Sequence, residues 1–302
     1  MEEMASQSDA RKEPPLPQIP AVPLTLEGAC MLHQMFRFNW AAWRKLTETE
    51  RAKVLEASLP VFRSICTPAA HAPTGKQSGL FSQLGHKGDL LMIHVRRSLD
   101  ALNAVELQLA NTPLYDFLEL RHSYVSVIEL GLYESTAKTY ATLIEAGKQP
   151  HTPEWDKGIA EVLQRQRDAM HPRLFPALPE SKYVCFYPMD RRRGEHANWY
   201  TVPMAERQRM MHEHGMVGRR YAGEVRQIIS GSIGWDDWEW GVDLFADDPV
   251  VFKRLIYEMR FDEVSAVYAL FGAFYLGIRL DVSGLPDWLN GRLPDQPASA
   301  GD

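Results

Sequence analysis

Apolar and polar residues alternate along the first half of this chain in short segments separated by turn and cap residues. Runs rich in β-branched and aromatic residues predict strands, and longer amphipathic runs that begin at capping residues predict helices. The predicted strands are 29–38, 80–81, 90–95 and 124–133, and the predicted helices are 47–65 and 98–110. The order is β-α-β-β-α-β, which is the ferredoxin-like arrangement.

The second half of the chain repeats this order without repeating the residues. Strands are predicted at 183–187, 224–232 and 238–245 and within 264–280, and helices at 203–213 and 248–259. Pro203 and Pro249 stand at the first turns of these helices, where proline is well tolerated. The repetition is therefore one of pattern, and it predicts a second β-α-β-β-α-β unit.

Two such units predict an α+β fold made of tandem ferredoxin-like repeats. Because each four-stranded sheet leaves one face open, the two sheets can pack face to face or fuse into a dimeric α+β barrel. The predicted parts are a disordered arm (1–24), an N-terminal domain (25–150), a connector with a helix at 153–172 (151–180), a C-terminal domain (181–285) and a disordered tail (286–302). No role is assigned to the loop at 67–79.

Composition narrows the class of protein. Hydrophobic residues make up 45% of the chain and the net charge is -6, which favours a packed core and gives no reason to expect nucleic acid or an anionic membrane as a partner. The three cysteines lack CxxC spacing, which argues against a disulfide framework or a structural zinc site. Without a signal-peptide pattern or a long apolar run, we expect a cytoplasmic protein.

Three segments in the second half are too unusual to be generic. They are YPMDRRRGEHANWY (187–200), HEHGMVGRRYAG (212–223) and YEMRFDEVS (257–265). Together they closely resemble the coproheme decarboxylases of the chlorite dismutase-like superfamily, and the resemblance extends over roughly residues 27–280. Three ordered motifs at these spacings are far more specific than any one of them.

The resemblance implies a concrete function. Family members bind iron-coproporphyrin III in the C-terminal domain and use hydrogen peroxide to remove two propionate carboxyls as carbon dioxide, which gives haem b. The porphyrin is then both the substrate and the redox centre. The resemblance also implies a homopentamer and a transient contact with the ferrochelatase that supplies coproheme.

Four residues match the iron-binding and reacting positions of this family. His214 matches the axial iron ligand, and the predicted helix places it at a helix end, followed by Gly215, which permits close backbone approach. His212 is two residues away on the helix and cannot face the same ligand. Tyr187 matches a tyrosine proposed to become a radical, and Met189 matches a family position that lines the porphyrin. Arg191 stands where many members have lysine, so it retains the charge but not a releasable proton.

The remaining matches surround the porphyrin. Gln227 matches the distal glutamine, whereas chlorite dismutases have arginine there, and strand alternation sends the neighbouring Arg226 to the opposite face. Arg173, Arg260 and Ser265 match partners of the propionates, because arginine can bind a carboxylate with two hydrogen bonds. Without the motifs, each of these residues would be read as ordinary surface charge or core packing.

Two other functions stay open from the sequence. One is a chlorite dismutase or weak haem peroxidase, which would gain support if Arg226 instead of Gln227 faced the porphyrin. The other is a haem carrier or sensor without turnover. The replacement of lysine by Arg191 favours this alternative, because arginine does not release a proton at neutral pH.

Overall fold

The computed structural model describes residues 20–66 and 77–293. The predicted arm before residue 20, most of the loop predicted at 67–79 and the end of the predicted tail lie outside the described residues. Within them, no helix is both long and apolar enough to span a bilayer.

The elements follow the predicted order with several additions. The strands are β1 (Thr25–Phe38), β2 (Gln77–Gln83), β3 (Leu90–Arg96), β4 (Leu118–Gly131), β5 (Tyr183–Arg191), β6 (Arg226–Gly231), β7 (Trp240–Ala246), β8 (Ala269–Phe271) and β9 (Tyr275–Leu280). The α-helices are α1 (Trp40–Lys45), α2 (Glu48–Cys66), α3 (Leu99–Ala110), α4 (Tyr133–Glu145), α5 (Pro153–Leu174), α6 (Met204–Arg220), α7 (Val250–Met259) and α8 (Leu285–Leu289). Short 3₁₀ turns lie at 113–117, 199–201 and 282–284, and a π turn at 264–268.

The two repeats share one antiparallel sheet that closes on itself. Its strands lie in the order β7-β6-β4-β1-β3-β2-β9-β5, and β5 pairs again with β7. The repeats meet where β2 pairs with β9 and where β4 pairs with β6. Both ferredoxin-like units are therefore confirmed, and their sheets are fused into a barrel.

Side-chain alternation gives this sheet two different faces. One face points into the barrel, where residues of both repeats, such as Met31 and Phe186, form a shared core. The outer face of the first repeat is covered by α2 and α3, and that of the second by α7. Inside the barrel, His33 of β1 donates from Nε2 to Asp243 of β7 at 2.9 Å, and both side chains are fully buried.

The helix starts follow the local sequence. Thr47 and Glu50 form the predicted capping box, in which each side chain accepts the other residue's backbone N–H. Ser98 accepts from the backbone N–H of Ala101 as the cap of α3. The predicted turn before β3 is also present, with Gly85 at φ +85°, a conformation that favours glycine.

Three predictions about the elements need correction. The tail is not disordered from 286, because α8 buries Trp288 and Leu289 against the first repeat's core. Helix α4 was missed because the predicted strand was extended past Gly131 to residue 133, where the helix already begins, and no side-chain cap marks that start. Helix α6 runs seven residues beyond 213, to Arg220, since Val217 continues its contact with the cluster of the second repeat past Gly215.

His94 on the outer face of β3 predicts a measurable acid sensitivity. It is fully buried, its Nδ1 accepts from the Ser78 hydroxyl at 2.7 Å, and burial together with the nearby Arg96 lowers its pKa to about 3. Below pH 6.5 the His94 imidazole binds a proton in the unfolded chain but stays neutral in the folded chain. The free energy of unfolding therefore falls as the pH falls. Between pH 7 and pH 5 this residue should cost about 2 kcal/mol of unfolding free energy.

Urea unfolding of the wild type and of His94→Gln at both pH values measures this effect. The wild type should lose about 2 kcal/mol more than the variant on acidification. His86→Gln, at an exposed position in the turn before β3, is the matched control. Equal losses in wild type and His94→Gln would contradict the expectation.

Candidate functional site

The predicted site residues of β5 share the outer face of the barrel. Cys185, Tyr187 and Met189 alternate outwards, whereas Val184 and Phe186 point into the barrel core. Tyr187 lies opposite Val242 of β7, which in turn lies opposite Ile229 of β6. These three strands and the helices α6 and α7 therefore enclose one region, which we call the outer site.

Tyr187 is held in an aromatic and largely apolar environment. Only 5% of it is exposed, and its ring lies 4.6 Å from the Phe274 ring and 5.7 Å from the Phe271 ring, measured between centroids. Burial raises its pKa well above the usual value, and the nearby cations Arg260 and Arg191 offset only part of this rise. The phenol consequently retains its proton at neutral pH.

His214 is fixed by a carboxylate. Its Nδ1 donates to Oδ2 of Asp262 at 2.8 Å, and the hydroxyl of Ser265 lies 3.4 Å from the same nitrogen. Burial would raise the pKa of Asp262, but the hydrogen bonds from His214 and Ser265 outweigh burial and keep the pKa below its usual range. Asp262 is therefore charged, and it orients the ring so that Nε2, which has no hydrogen-bond partner among the described residues, is the free nitrogen.

The position of His214 on its helix differs from the prediction. It lies inside α6 and not at a helix end, because the helix continues to Arg220. No other part of the described protein approaches the backbone at Gly215, since a Cβ there would meet no described atom within 4 Å. His212 is exposed, whereas the His214 side chain is only 26% exposed, so the geometry separates the two histidines as the spacing predicted.

Arg191 lies among aromatic rings. Its guanidinium carbon is 5.1 Å from the centre of the Trp199 ring and 5.9 Å from that of Trp240. Its Nη2 donates to the sulfur of Met211 on α6 at 3.6 Å. Burial lowers its pKa, but an arginine remains a cation at neutral pH.

Gln227 and Arg226 point to opposite faces of β6. Gln227 lies opposite Leu244, whose side chain is in the outer cluster with Tyr187, and Arg226 lies opposite Phe245, whose side chain is in the barrel core. Gln227 and its face neighbour Ile229 are both exposed. The outer face of the sheet is thus open at β6, although α7 covers it at β7.

The other predicted residues are distributed unequally. The exposed Arg260 ends α7 with its guanidinium carbon 3.8 Å from the centre of the Phe271 ring, and Met189 packs at the edge of the outer cluster. Ser265 is 6% exposed and contacts the His214–Asp262 pair. Arg173 is not brought to this group, since its described side-chain contact is to Met170 within α5.

Two functional neighbours were not singled out from the sequence. Asp262 is part of the quoted segment at 257–265, so its carboxylate could have been paired with His214 by asking what fixes the imidazole. Phe274 carries no such signal, because its contact with Tyr187 depends on a break between β8 and β9 at residues 272–274.

A family model and several solved structures are similar to this chain. A family model described as chlorite dismutase matches residues 42–280. The solved structure of a haem-binding protein from Thermus thermophilus is 39% identical, covers 90% of this chain and 99% of its own, and superposes with a TM-score of 0.75. Two mutant chlorite dismutases from Candidatus Nitrospira defluvii are similar in fold, each with a TM-score of 0.62. The first is 15% identical and covers 87% of this chain and 96% of its own. The second is 17% identical and covers 88% of this chain and 98% of its own.

Proposed function

This chain belongs to the chlorite dismutase family, and on that premise we propose that it binds an iron porphyrin in the outer site and acts as a coproheme decarboxylase. The substrate would be iron-coproporphyrin III, the oxidant hydrogen peroxide and the product haem b. The 39% identical protein from Thermus thermophilus is described as haem-binding, which supports the porphyrin.

The hydrogen bond from His214 to Asp262 is the observation that carries the proposal. A histidine that binds a metal typically donates its other ring N–H to a carboxylate or carbonyl, which fixes the tautomer and makes the free nitrogen a better ligand. Here Nδ1 is committed to Asp262, and Nε2 is left for iron. Haem iron is commonly held by such an axial histidine, so the donor set fits the group.

The chain also offers partners for the carboxylates of the substrate. Arg260 is exposed and ends a helix beside Tyr187, which suits a bidentate contact with a propionate. We also retain Arg173 and Ser265 as proposed propionate partners and Met189 and Gln227 as proposed contacts of the ring. The contact of Ser265 with His214 additionally supports a role in orienting the imidazole.

Tyr187 is the proposed reacting residue. A bound iron porphyrin would supply the redox chemistry with hydrogen peroxide. Each propionate that becomes a vinyl group releases carbon dioxide, one proton and two electrons. One hydrogen peroxide takes up these two electrons, that proton and one further proton from solvent to become two waters. A buried phenol that keeps its proton can give up a hydrogen atom and take one back from a propionate. The surrounding rings of Phe271 and Phe274 help to exclude water from this exchange.

Product analysis tests the proposal directly. The purified protein is loaded with iron-coproporphyrin III, titrated with dilute peroxide and analysed by mass spectrometry of the porphyrins. We expect conversion to haem b with the loss of two carboxyl groups as carbon dioxide. Bound porphyrin that keeps all four carboxyls after peroxide would favour the carrier or sensor instead.

The neutral side chain of Gln227 predicts weak chlorite dismutase activity. Chlorite turnover needs a cation near the iron to hold the chlorine oxyanion, and Gln227 is neutral whereas Arg226 points to the barrel face. Oxygen evolution from chlorite should therefore be weak in the wild type and should rise about tenfold or more in Gln227→Arg. An oxygen electrode measures both, and sustained evolution in Gln227→Ala would support a chlorite dismutase.

We include a homopentamer and a transient contact with a ferrochelatase in the proposal. The motif resemblance alone supports them. Analytical ultracentrifugation of the porphyrin-loaded protein, with and without the ferrochelatase, measures both.

A further inference from the structure

The positive charge of Arg191 is surrounded by oxidisable side chains. Besides the rings of Trp199 and Trp240, its guanidinium contacts the thioether of Met211. Trp199 in turn lies 5.4 Å from the Tyr268 ring and 6.4 Å from the Tyr133 ring, measured between centroids. An oxidant generated beside Tyr187 could therefore oxidise several other aromatic side chains in the same region.

No carboxylate neutralises this cation in the part of the chain that the structure describes. Ion pairs within 4.0 Å involve Arg193 but not Arg191. Glu239 accepts the backbone N–H of Arg191 at 2.8 Å and pairs through its other oxygen with Arg193. Asp262 is committed to His214 and to the backbone of Ser265. The charge of Arg191 therefore acts on the two indole rings in a region of low water content.

We propose that Arg191 confines oxidation to Tyr187 by making the neighbouring indoles harder to oxidise. The inference rests on the proposed function, because the oxidant it concerns is hydrogen peroxide acting at a bound iron porphyrin. It assigns to this position a role that differs from proton delivery, for which arginine is unsuited.

The chemistry of the two side chains explains the selectivity. An indole that loses one electron becomes a radical cation, and its new positive charge faces the fixed guanidinium, which opposes it. A phenol that loses an electron together with its proton stays neutral, so the same cation hardly opposes it. In both cases the electron ends on hydrogen peroxide, and the phenol's proton ends in the water that peroxide forms.

Arginine suits this task better than lysine. Its planar guanidinium lies over ring faces and carries a delocalised charge, whereas an ammonium is a point charge that prefers water. The Glu129 carboxyl near the Trp240 indole could accept that ring's proton, and so ease its oxidation. The cation of Arg191 counteracts this at the same ring.

An experiment on the porphyrin-free protein tests the inference without depending on the proposed function. Wild type, Arg191→Gln and the charge-retaining Arg191→Lys are exposed to photochemically generated tris(bipyridine)ruthenium(III), and oxidised tryptophan is quantified by peptide mass spectrometry. Trp155 is the internal reference, since it is buried and no cation lies over its ring among the described residues.

Oxidation of Trp199 and Trp240 relative to Trp155 should rise about threefold or more in Arg191→Gln, and less in Arg191→Lys. A smaller rise in Arg191→Gln would overturn the inference. Near-ultraviolet circular dichroism verifies that the variants are folded, and Arg191→Met replaces Arg191→Gln if the latter is not.

A second arm repeats the measurement with haem b and hydrogen peroxide. The same two tryptophans should be oxidised more in Arg191→Gln, and fewer peroxide molecules should be consumed before inactivation. If the protein binds neither haem b nor iron-coproporphyrin III, the proposed function is contradicted, whereas the first arm still tests the role of Arg191. If haem binds and the oxidation pattern does not change, the role of Arg191 is wrong and the porphyrin site stands.

Discussion

Replacing Tyr187 with phenylalanine is expected to slow the decarboxylation of iron-coproporphyrin III by roughly 100-fold or more. The substitution removes the O–H group whose hydrogen the proposed reaction uses, and it leaves the ring that packs on Phe271 and Phe274. Porphyrin affinity and the melting temperature should change little, because most of the burial energy of a tyrosine comes from its ring. Stopped-flow spectroscopy and mass spectrometry of the products measure the loss.

A matched control comes from the same strand. Tyr183→Phe removes a phenol at the far end of β5, where the ring lies beside Lys182 and away from Arg260. It should retain decarboxylation within about twofold, as expected for a substitution outside the reacting groups. Full activity in Tyr187→Phe would show that another group takes the hydrogen atom.

Replacing His214 with alanine should have the second largest effect, on porphyrin binding. Loss of the axial nitrogen should weaken binding of iron-coproporphyrin III by roughly 10- to 100-fold. The absorption spectrum should change to that of an iron without a histidine ligand. Added imidazole should restore both, since the carboxylate of Asp262 remains to hold the small molecule's N–H. Titration followed by absorption spectroscopy measures these changes.

Two further variants separate ligation from simple destabilisation. His212→Ala, on the exposed side of the same helix, should bind porphyrin as the wild type does. Asp262→Asn should keep the iron–histidine bond but lower the iron–histidine stretching frequency, because a neutral amide polarises the imidazole less than a carboxylate. Unchanged affinity in His214→Ala would assign the ligand to another residue.

The sequence predicted the fold well because the decisive signals were local. Capping residues, turn glycines and alternating strands fixed the order of elements in both repeats, and pairing rules limited how two such sheets combine. Whether they would stack or fuse could not be decided. That choice depends on pairings between β2 and β9 and between β4 and β6, which are far apart in the chain. The helix α8 was missed because a short segment rich in proline and aspartate is typical of disorder. Its order depends on the burial of Trp288 in the core of the first repeat, which the local sequence does not indicate.

Motifs and strand alternation predicted which residues of the candidate site share a face, but not their partners from distant parts of the chain. Alternation along β6 correctly set Gln227 and Arg226 on opposite faces, and helical spacing separated His212 from His214. The partner of His214 was not predicted, because Asp262 is distant in sequence and meets it only when α6 packs against the turn after α7. The surroundings of Arg191 depend likewise on tertiary packing, so its aromatic neighbours could not be read from the basic run.

The barrel's internal pair between His33 and Asp243 has a consequence for how the protein can be divided. Although every proposed reacting group lies after residue 172, the second repeat cannot serve as a minimal enzyme. Cutting the chain in the connector would strip Asp243 of its buried histidine partner, at a cost of about 3–5 kcal/mol, and would expose unpaired strand edges on both halves. The first repeat is therefore a permanent intramolecular scaffold, and substitutions deep inside it should lower cellular abundance without altering the chemistry.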